Sequence, residues 1–244
     1  MSASGKVRSA DAGRPMSCSD MAKPESQPWR PYPELSDAAR IERARAFLAE
    51  MATRRSCRAF SDAPVPREVI EAALLAAGSA PSGANRQPWH FSVIHSDEAK
   101  AAIRVAVEEE ERQFYAGLGG KAWLEAVRPL GTAADKPYLE LAPWLIAVFA
   151  QRYENADERE EQRNYNVTES VCIATGLLLA TLHAAGVATL VHTPHPMRFL
   201  NRVCRRPDNE RPVMLIVAGR AAPDAIVPAG IEQKKPLEEI SSWL

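Results

Sequence analysis

The sequence is short of several things, and each shortage closes off a class of function. Only four cysteines occur in 244 residues, Cys18, Cys57, Cys172 and Cys204, and no two stand in a CxxC spacing. They are read as free thiols in a reducing compartment, which points to the cytoplasm. Positive charge is not in excess, since 30 Lys and Arg face 31 Asp and Glu for a formal net charge of −1. Nucleic-acid binders usually carry a strongly basic footprint, so that class is set aside. Histidine is scarce, five in all, and only His192 and His195 stand close together. Pro194 between them breaks any helix that would align two ligands, so no metal site is expected. No apolar run reaches the roughly 18 residues of a bilayer span, and the N-terminus has no apolar h-region of a signal peptide. Neither GxGxxG nor GxxxxGKS/T occurs, which disfavours a dinucleotide-binding or P-loop fold. No internal repeat is visible.

What remains is enough for a sizeable core, with 46% hydrophobic residues. Residues 1–35 are rich in Pro, Ser, Gly and charge without an apolar period, and are read as a disordered tail. A domain is expected over 36–244. Ser36-Asp37 suits the start of a helix running to about Arg54, with Ile41, Ala44, Phe47, Leu48 and Met51 on its apolar side. A second helix is predicted near Arg67–Gly78, with Gly78 as its C′ residue. Strands are predicted over Trp89–His95, Pro143–Gln151, Ala188–His192 and Val213–Ala218. A long helix from Asp97 to about Leu118 carries Glu108–Glu111. Gly117, Gly119 and Gly120 loosen the chain after it, and a short helical piece follows near Trp123–Val127. Tyr153–Arg163 is polar and reads as a surface loop. Asn164–Ala185 is apolar on most sides, so it is expected to be buried in a core or between subunits. A short helix near Met197–Cys204 completes an interleaved α and β pattern.

Two stretches carry chemistry. The first is Arg54-Arg55-Ser56-Cys57-Arg58. In an extended chain Arg54, Ser56 and Arg58 project to one side, and two guanidiniums with a hydroxyl suit a phosphate. The second is Ala80-Pro81-Ser82-Gly83-Ala84-Asn85, a turn whose backbone amides can approach a flat ligand closely. Further on, Thr193 follows a predicted strand and precedes Pro194, which holds it extended. Glu111 and Tyr115 are four apart and share a helix face, and Lys136 lies beyond the glycines.

The stretch Arg54–Phe91, with Glu108–Tyr115, Asn164–Gly186, Thr193-Pro194 and Asp224–Leu237, resembles the nitroreductase superfamily, and within it the iodotyrosine deiodinase branch. The resemblance covers about residues 36–244. It implies an α+β fold, a small mixed sheet wrapped by helices, in a homodimer that exchanges its C-terminal segment. It implies FMN at the subunit interface, with Arg54, Arg55, Ser56, Cys57, Arg58, Ser82, Val191, His192, Thr193 and Lys234 as cofactor contacts. Thr193 is implied as the catalytic donor to a flavin ring nitrogen. Lys234 or Lys235 stands where the family usually has Arg, and Lys234 is favoured. Ala84, through its backbone N–H, and Glu111, Tyr115 and Lys136 are implied to bind a halogenated tyrosine. Glu111 would take its ammonium, and Tyr115 and Lys136 its carboxylate, under a lid of about residues 105–140. Animal members carry a membrane anchor that is not seen in this sequence, which implies a soluble, bacterial-type member. Asn85 and Gln87 look more like general nitroreductases. The implied activity is reductive deiodination of iodotyrosine to tyrosine and iodide. The alternative is a broad NAD(P)H-dependent nitroreductase or quinone reductase. A flavin-destroying benzimidazole synthase, which the Glu-Tyr-Lys lid disfavours, and a non-enzymatic flavin- or amino-acid-binding protein are more distant readings.

Overall fold

A computed structural model describes residues 25–28, 34–153, 163–194 and 196–244. Most of the tail expected over 1–35, the loop expected between Tyr153 and Arg163, Cys18 and His195 lie outside the described residues. The chain divides into two units, residues 1–43 and 44–244. Helix α1, Asp37–Ala52, begins at Ser36, whose Oγ accepts the Ala39 N–H at 3.2 Å. It buries no residue, and Ile41, Phe47 and Leu48 on its expected apolar side are exposed.

The second unit is built on one four-stranded sheet. Its strands are β1 (Trp89–Ile94), β2 (Trp144–Gln151), β3 (Ala188–His192) and β4 (Glu210–Gly219), in the spatial order β1-β2-β4-β3. Every strand pair is antiparallel. The mixed character expected of the sheet comes down to one parallel bridge, Ser56 with Thr189, on the edge strand β3. Strand β4 begins earlier than its apolar run because Arg211 and Pro212 also pair with β2. The register shifts between Val148 and Phe149, so Pro212 sits at a bulge, where its missing N–H breaks no ladder.

Alternation along β2 and β4 sends side chains to both faces, and both faces are covered. Leu145, Ala147, Phe149, Leu215 and Val217 meet Ile103, Val107, Leu139 and Leu200. These come from α3 (Asp97–Gln113), α5 (Tyr138–Leu141) and α7 (Phe199–Val203), with α4 (Gly120–Val127) between α3 and α5 in the chain. Ile146, Val148, Ala150, Ile216 and Ala218 meet Ile70, Ala73, Ala77, Val171, Leu178 and Leu182. These come from α2 (Arg67–Gly78) and α6 (Val167–Ala184). A short α8, Leu237–Ile240, ends the chain.

Helix α6 is long and apolar enough to cross a membrane by composition alone. Its Val171, Ala174, Leu178 and Leu182 are instead buried on the sheet, while Cys172, Ile173 and Leu177 on the opposite side are exposed. Gly186, at φ 72°, ends this helix as its sequence suggests. Gly78 does not play that part for α2. It is the last helical residue, and Ser79 follows at φ −82°, with its N–H closing the turn on Leu75 and Ala76.

Candidate active site

The site is built on one stripe of α3. Ser96 caps this helix by accepting from the Ala99 N–H, and Ile103 and Val107 anchor its apolar face. Beside that face run Lys100, Arg104, Glu108 and Glu111, and Tyr115 just past the helix end, spaced four, four, three and four, so they stack along one side. The chain from Thr132 to Ala142 returns along this stripe in the opposite direction. Lys100 Nζ donates to the carbonyls of Glu140 at 2.8 Å and Ala142 at 3.3 Å. Arg104 reaches Glu140 Oε2 at 3.1 Å and Asp135 Oδ1 at 2.8 Å. Glu108 Oε1 accepts the Lys136 N–H at 2.8 Å. Glu111 Oε2 lies 3.3 Å from Lys136 Nζ, and Tyr115 Oη 2.6 Å from Thr132 Oγ1. Burial pushes the Glu108 carboxyl up, but Arg104 and the Lys136 N–H outweigh it, so it stays ionised below the usual range.

Beyond Gln113 the helix widens into one π turn, Phe114–Leu118, where Gly117 adopts φ 140°. Phe114 and Tyr115 then stand edge-on to Trp123, with ring centroids 4.5 and 5.4 Å away. Gly119 is needed for close approach as much as for looseness, since a Cβ there would lie 2.6 Å from the Phe114 ring. These aromatics wall a cavity of about 220 Å³ whose other side holds Arg58, Val191, His192 and Thr193. Glu111, Tyr115 and Lys136 face into it. The Lys136 side chain is 5% exposed and that of Glu111 13%, so the pair is nearly sealed from water. Lys136 Nζ also meets the Ala133 carbonyl and lies 5.6 Å from the Tyr115 ring centroid.

His192 lies beside this pair with its side chain 11% exposed and its Nε2 sealed from water. Its Nε2 lies 3.8 Å from Glu111 Oε1 and has no hydrogen-bond partner. Burial, helped by the charges of Lys136 and Arg58, lowers its pKa to about 4, so the ring is neutral at ordinary pH. Tyr138 stands edge-on to it at 6.3 Å, and burial raises that phenol's pKa well above its ordinary value.

The Arg54–Arg58 segment runs along the edge of the sheet, with the Cys57 N–H bonded to the Thr189 carbonyl at 2.9 Å. Alternation holds here. Cys57 is buried in the core, its Sγ donating to the Ala59 carbonyl, and it does not line the cavity. Arg58 lines the cavity. Arg55 is folded back, with Nη1 on the carbonyls of Ala52 and Arg54. Among the described residues, the guanidiniums of Arg54 and Arg58 make no hydrogen bond or ion pair.

Ser82 and Ala84 do not line the cavity of this chain. Ser82 Oγ accepts the Gln87 N–H at 2.9 Å, and Gly83 is pressed against the backbone of Tyr165, where a Cβ would lie 2.8 Å from its carbonyl oxygen. Close approach at Gly83 thus serves the chain's own packing. Ala84, Asn85 and Gln87 take φ of 50°, 54° and 49°, a left-handed region that asparagine tolerates but that strains the backbone at Ala84 and Gln87. Lys234 is exposed, with Nζ on the Ile231 carbonyl of its own turn, and Lys235 is exposed beside it. The sequence reading missed Arg104, Glu108, Trp123 and Tyr138. The four-residue spacing of Lys100, Arg104 and Glu108 was a usable signal, obscured by the acidic run that follows.

A four-stranded antiparallel sheet walled by helices on both faces, with a cavity beside its edge strand β3, defines the class. The chain belongs to the nitroreductase family, whose model matches residues 51–220. It is 45% identical to the iodotyrosine deiodinase of Haliscomenobacter hydrossis over 77% of this chain and 85% of that one. It is 37% identical to iodotyrosine deiodinase 1 of Homo sapiens over 86% of this chain and 71% of that one. Among solved structures it is similar to an oxidized iodotyrosine deiodinase bound to FMN and 3-iodo-L-tyrosine, with TM-score 0.63 and 28% identity over 72% of this chain and 90% of that one. The fold is also shared with a putative NADH dehydrogenase/NAD(P)H nitroreductase of Parabacteroides distasonis, with TM-score 0.57 and 18% identity over 81% and 97%.

Proposed function

We propose that this protein is an FMN-dependent iodotyrosine deiodinase that reductively converts iodotyrosine to tyrosine and iodide. The observation that carries the reading is the buried Glu111–Lys136 pair at the cavity wall, with Tyr115 beside it. Burying two charges costs several kcal/mol unless each is matched. Here each charge matches the other, and an amino-acid zwitterion entering between them preserves that balance. Its ammonium replaces Lys136 on Glu111, and its carboxylate replaces Glu111 on Lys136, with the Tyr115 hydroxyl as a further donor. A ligand with only one of the two charges would leave a buried partner unmatched. The lid of about residues 105–140 closes over the bound ligand and excludes water.

The residues present fit the cofactor. Arg54 and Arg58 offer guanidiniums with no hydrogen-bond or ion-pair partner among the described residues, Val191 presents a half-exposed apolar surface, and Thr193 places a hydroxyl on the same wall. Bound FMN supplies the electron pair that, with one proton, replaces the carbon–iodine bond by carbon–hydrogen and releases iodide. In this reading Arg54 and Arg58 hold the phosphate, and the backbone over Arg55–Cys57 follows it. Thr193 donates to a ring nitrogen, with Val191 and His192 beside it.

The active form is a homodimer. The exposed apolar side chains Ile173 and Leu177 on α6, and Leu237, Ile240 and Trp243 at the C-terminus, support an interface and an exchanged tail. Ser82, Ala84 and Lys234 then reach the cavity from a second copy. Cys57, Cys172 and Cys204 are free thiols, which suits a reducing, cytoplasmic setting.

The deciding experiment is anaerobic. Protein with reduced FMN is mixed with iodotyrosine, and oxidised flavin, tyrosine and iodide should appear in equal amounts. If the flavin stays reduced with iodotyrosine but is rapidly reoxidised by nitroaromatics or quinones, and NAD(P)H reduces it efficiently, a broad nitroreductase is the correct reading.

A further inference from the structure

We propose that Arg104 is a positioning residue for the substrate clamp: it fixes Lys136 opposite Glu111, and so sets affinity for the amino-acid end of the ligand without touching it. This rests on the deiodinase reading above.

Neither Arg104 nor Glu108 lines the cavity. Arg104 instead uses three different nitrogens on three carboxylates. Nε meets Glu108 Oε1 at 2.7 Å, Nη2 meets Asp135 Oδ1 at 2.8 Å, and Nη1 meets Glu140 Oε2 at 3.1 Å. Two of these lie on the returning chain, one on each side of Lys136. The third, Glu108, passes the hold on directly, because the same Oε1 accepts the Lys136 backbone N–H at 2.8 Å. Lys136 is therefore gripped at its own backbone and at residues one before and four after it. Its Nζ then points back across α3 to Glu111, one turn beyond Glu108.

The guanidinium suits this task because it is planar and always charged, and its donors lie in a fixed fork. A lysine supplies the charge, but all its donors sit on one nitrogen, which cannot span three separate carboxylates. Arg104 is also not the sole tie between α3 and the returning chain. Lys100 separately holds the carbonyls of Glu140 and Ala142, and Leu139 is fully buried in the core. Loss of Arg104 should thus free residues 132–137 while α5 stays in place. Glu111 and Lys136 would remain in the chain but no longer be held ready, so the ordering must be supplied when the ligand binds.

The test uses the FMN-loaded protein and two ligands, iodotyrosine and 2-iodophenol, followed by flavin fluorescence. Arg104→Ala should raise the Kd for iodotyrosine up to about tenfold and that for 2-iodophenol less than about twofold. Arg104→Lys should shift the ratio of the two constants in the same direction by a smaller amount. A residue that only supports the fold would lower Tm or weaken both ligands alike, so an unchanged ratio in Arg104→Ala overturns the proposal. Should Arg104→Ala fail to fold, Arg104→Lys decides by the same ratio. Glu111→Gln and Lys136→Met serve as references. If they change the ratio and the Arg104 variants do not, the positioning role alone is lost. If they also leave it unchanged, the clamp is wrong and Arg104 falls with it.

Discussion

The sheet and the lid are held by different forces. In the sheet, Leu145 through Phe149 and Leu215 through Ala218 are fully buried, and their side chains on both faces are apolar. Over residues 114–131 of the lid no residue is buried; this stretch is held by one hydroxyl pair and edge-on rings, and the Glu111–Lys136 ion pair flanks it. Apolar burial is non-directional and indifferent to whether a ligand is present. A charge pair is specific and can change partners, which is what a site that opens and closes requires. The centre of this sheet is thus apolar, while ion pairs stand at its margins, Arg206 with Glu210 at the start of β4 and Glu111 with Lys136 at the cavity.

Truncation in each region should separate the two most widely. Phe149→Ala leaves a hole at the sheet centre and should cost about 3–5 kcal/mol. Trp123→Ala, on a half-exposed lid ring, should cost under about 1 kcal/mol while loosening the cavity wall. Urea unfolding of both variants checks this. Equal losses would mean that the lid unfolds as part of the core.

Acid should act at the border between the regions. An unfolded histidine titrates near 6.5, while His192 does so at about 4, held there by burial and by Lys136 and Arg58. Glu111, 3.8 Å away, opposes this, but its charge is already matched by Lys136. The unfolded chain therefore binds the extra proton, so this contribution to stability is complete above about pH 6.5 and is lost as pH falls towards 4. The expected loss is roughly 3 kcal/mol by pH 4. His90, also lowered by burial, adds to the same slope. His192→Asn should flatten the fall in Tm between pH 6.5 and 4.5, and an unchanged slope would mean that the ring is not buried neutral.

Within the lid, Glu111→Gln removes one charge of the exchangeable pair. A charge-assisted contact is worth about 1.5–3 kcal/mol, so iodotyrosine should bind roughly ten- to a hundredfold more weakly. An iodophenol, which has no ammonium, should be little affected, and FMN content should not change. Equal weakening of both ligands would return the acidic stripe to being a solvated helix face.

The same contrast explains what could be read from the sequence. The strands and α3 were legible because apolar runs and apolar periods report burial directly, as in the continuous run Trp144–Gln151. Pro212 hid the start of β4, since the register shift against the neighbouring strand β2 that makes it tolerable cannot be seen in the local sequence. Glu111, Tyr115 and Lys136, expected together from the family pattern, do meet on one cavity wall. The contacts of Arg104 were not expected, because its partners Asp135 and Glu140 lie more than 30 residues on and only the fold brings them back. Gly78 was misjudged because glycine after a helix suggests a left-handed cap, and here Ser79 closes the turn without one.

Two glycines offer the finest comparison. A Cβ on Gly219 would lie 2.7 Å from Pro143 Cδ and 3.2 Å from the Phe60 ring, and a Cβ on Gly119 would lie 2.6 Å from the Phe114 ring and 3.0 Å from Trp123. The clashes are nearly the same size, and neither glycine has a positive φ, so backbone strain does not separate them. Their surroundings do. Gly219 is buried at the end of β4, where Pro143 has little freedom and Phe60 is itself in the core. Gly119 faces rings that are half exposed and can swing outward. Gly219→Ala should therefore behave as overpacking, costing about 1–3 kcal/mol in urea unfolding. Gly119→Ala should cost under about 1 kcal/mol, because side-chain displacement relieves the contact. Its effect should appear instead in the site, since Phe114 and Trp123 wall the cavity, as a few-fold weaker binding of iodotyrosine. If Gly119→Ala lowers stability as much as Gly219→Ala and leaves ligand binding unchanged, the lid is packed as rigidly as the sheet and does not open by side-chain rearrangement.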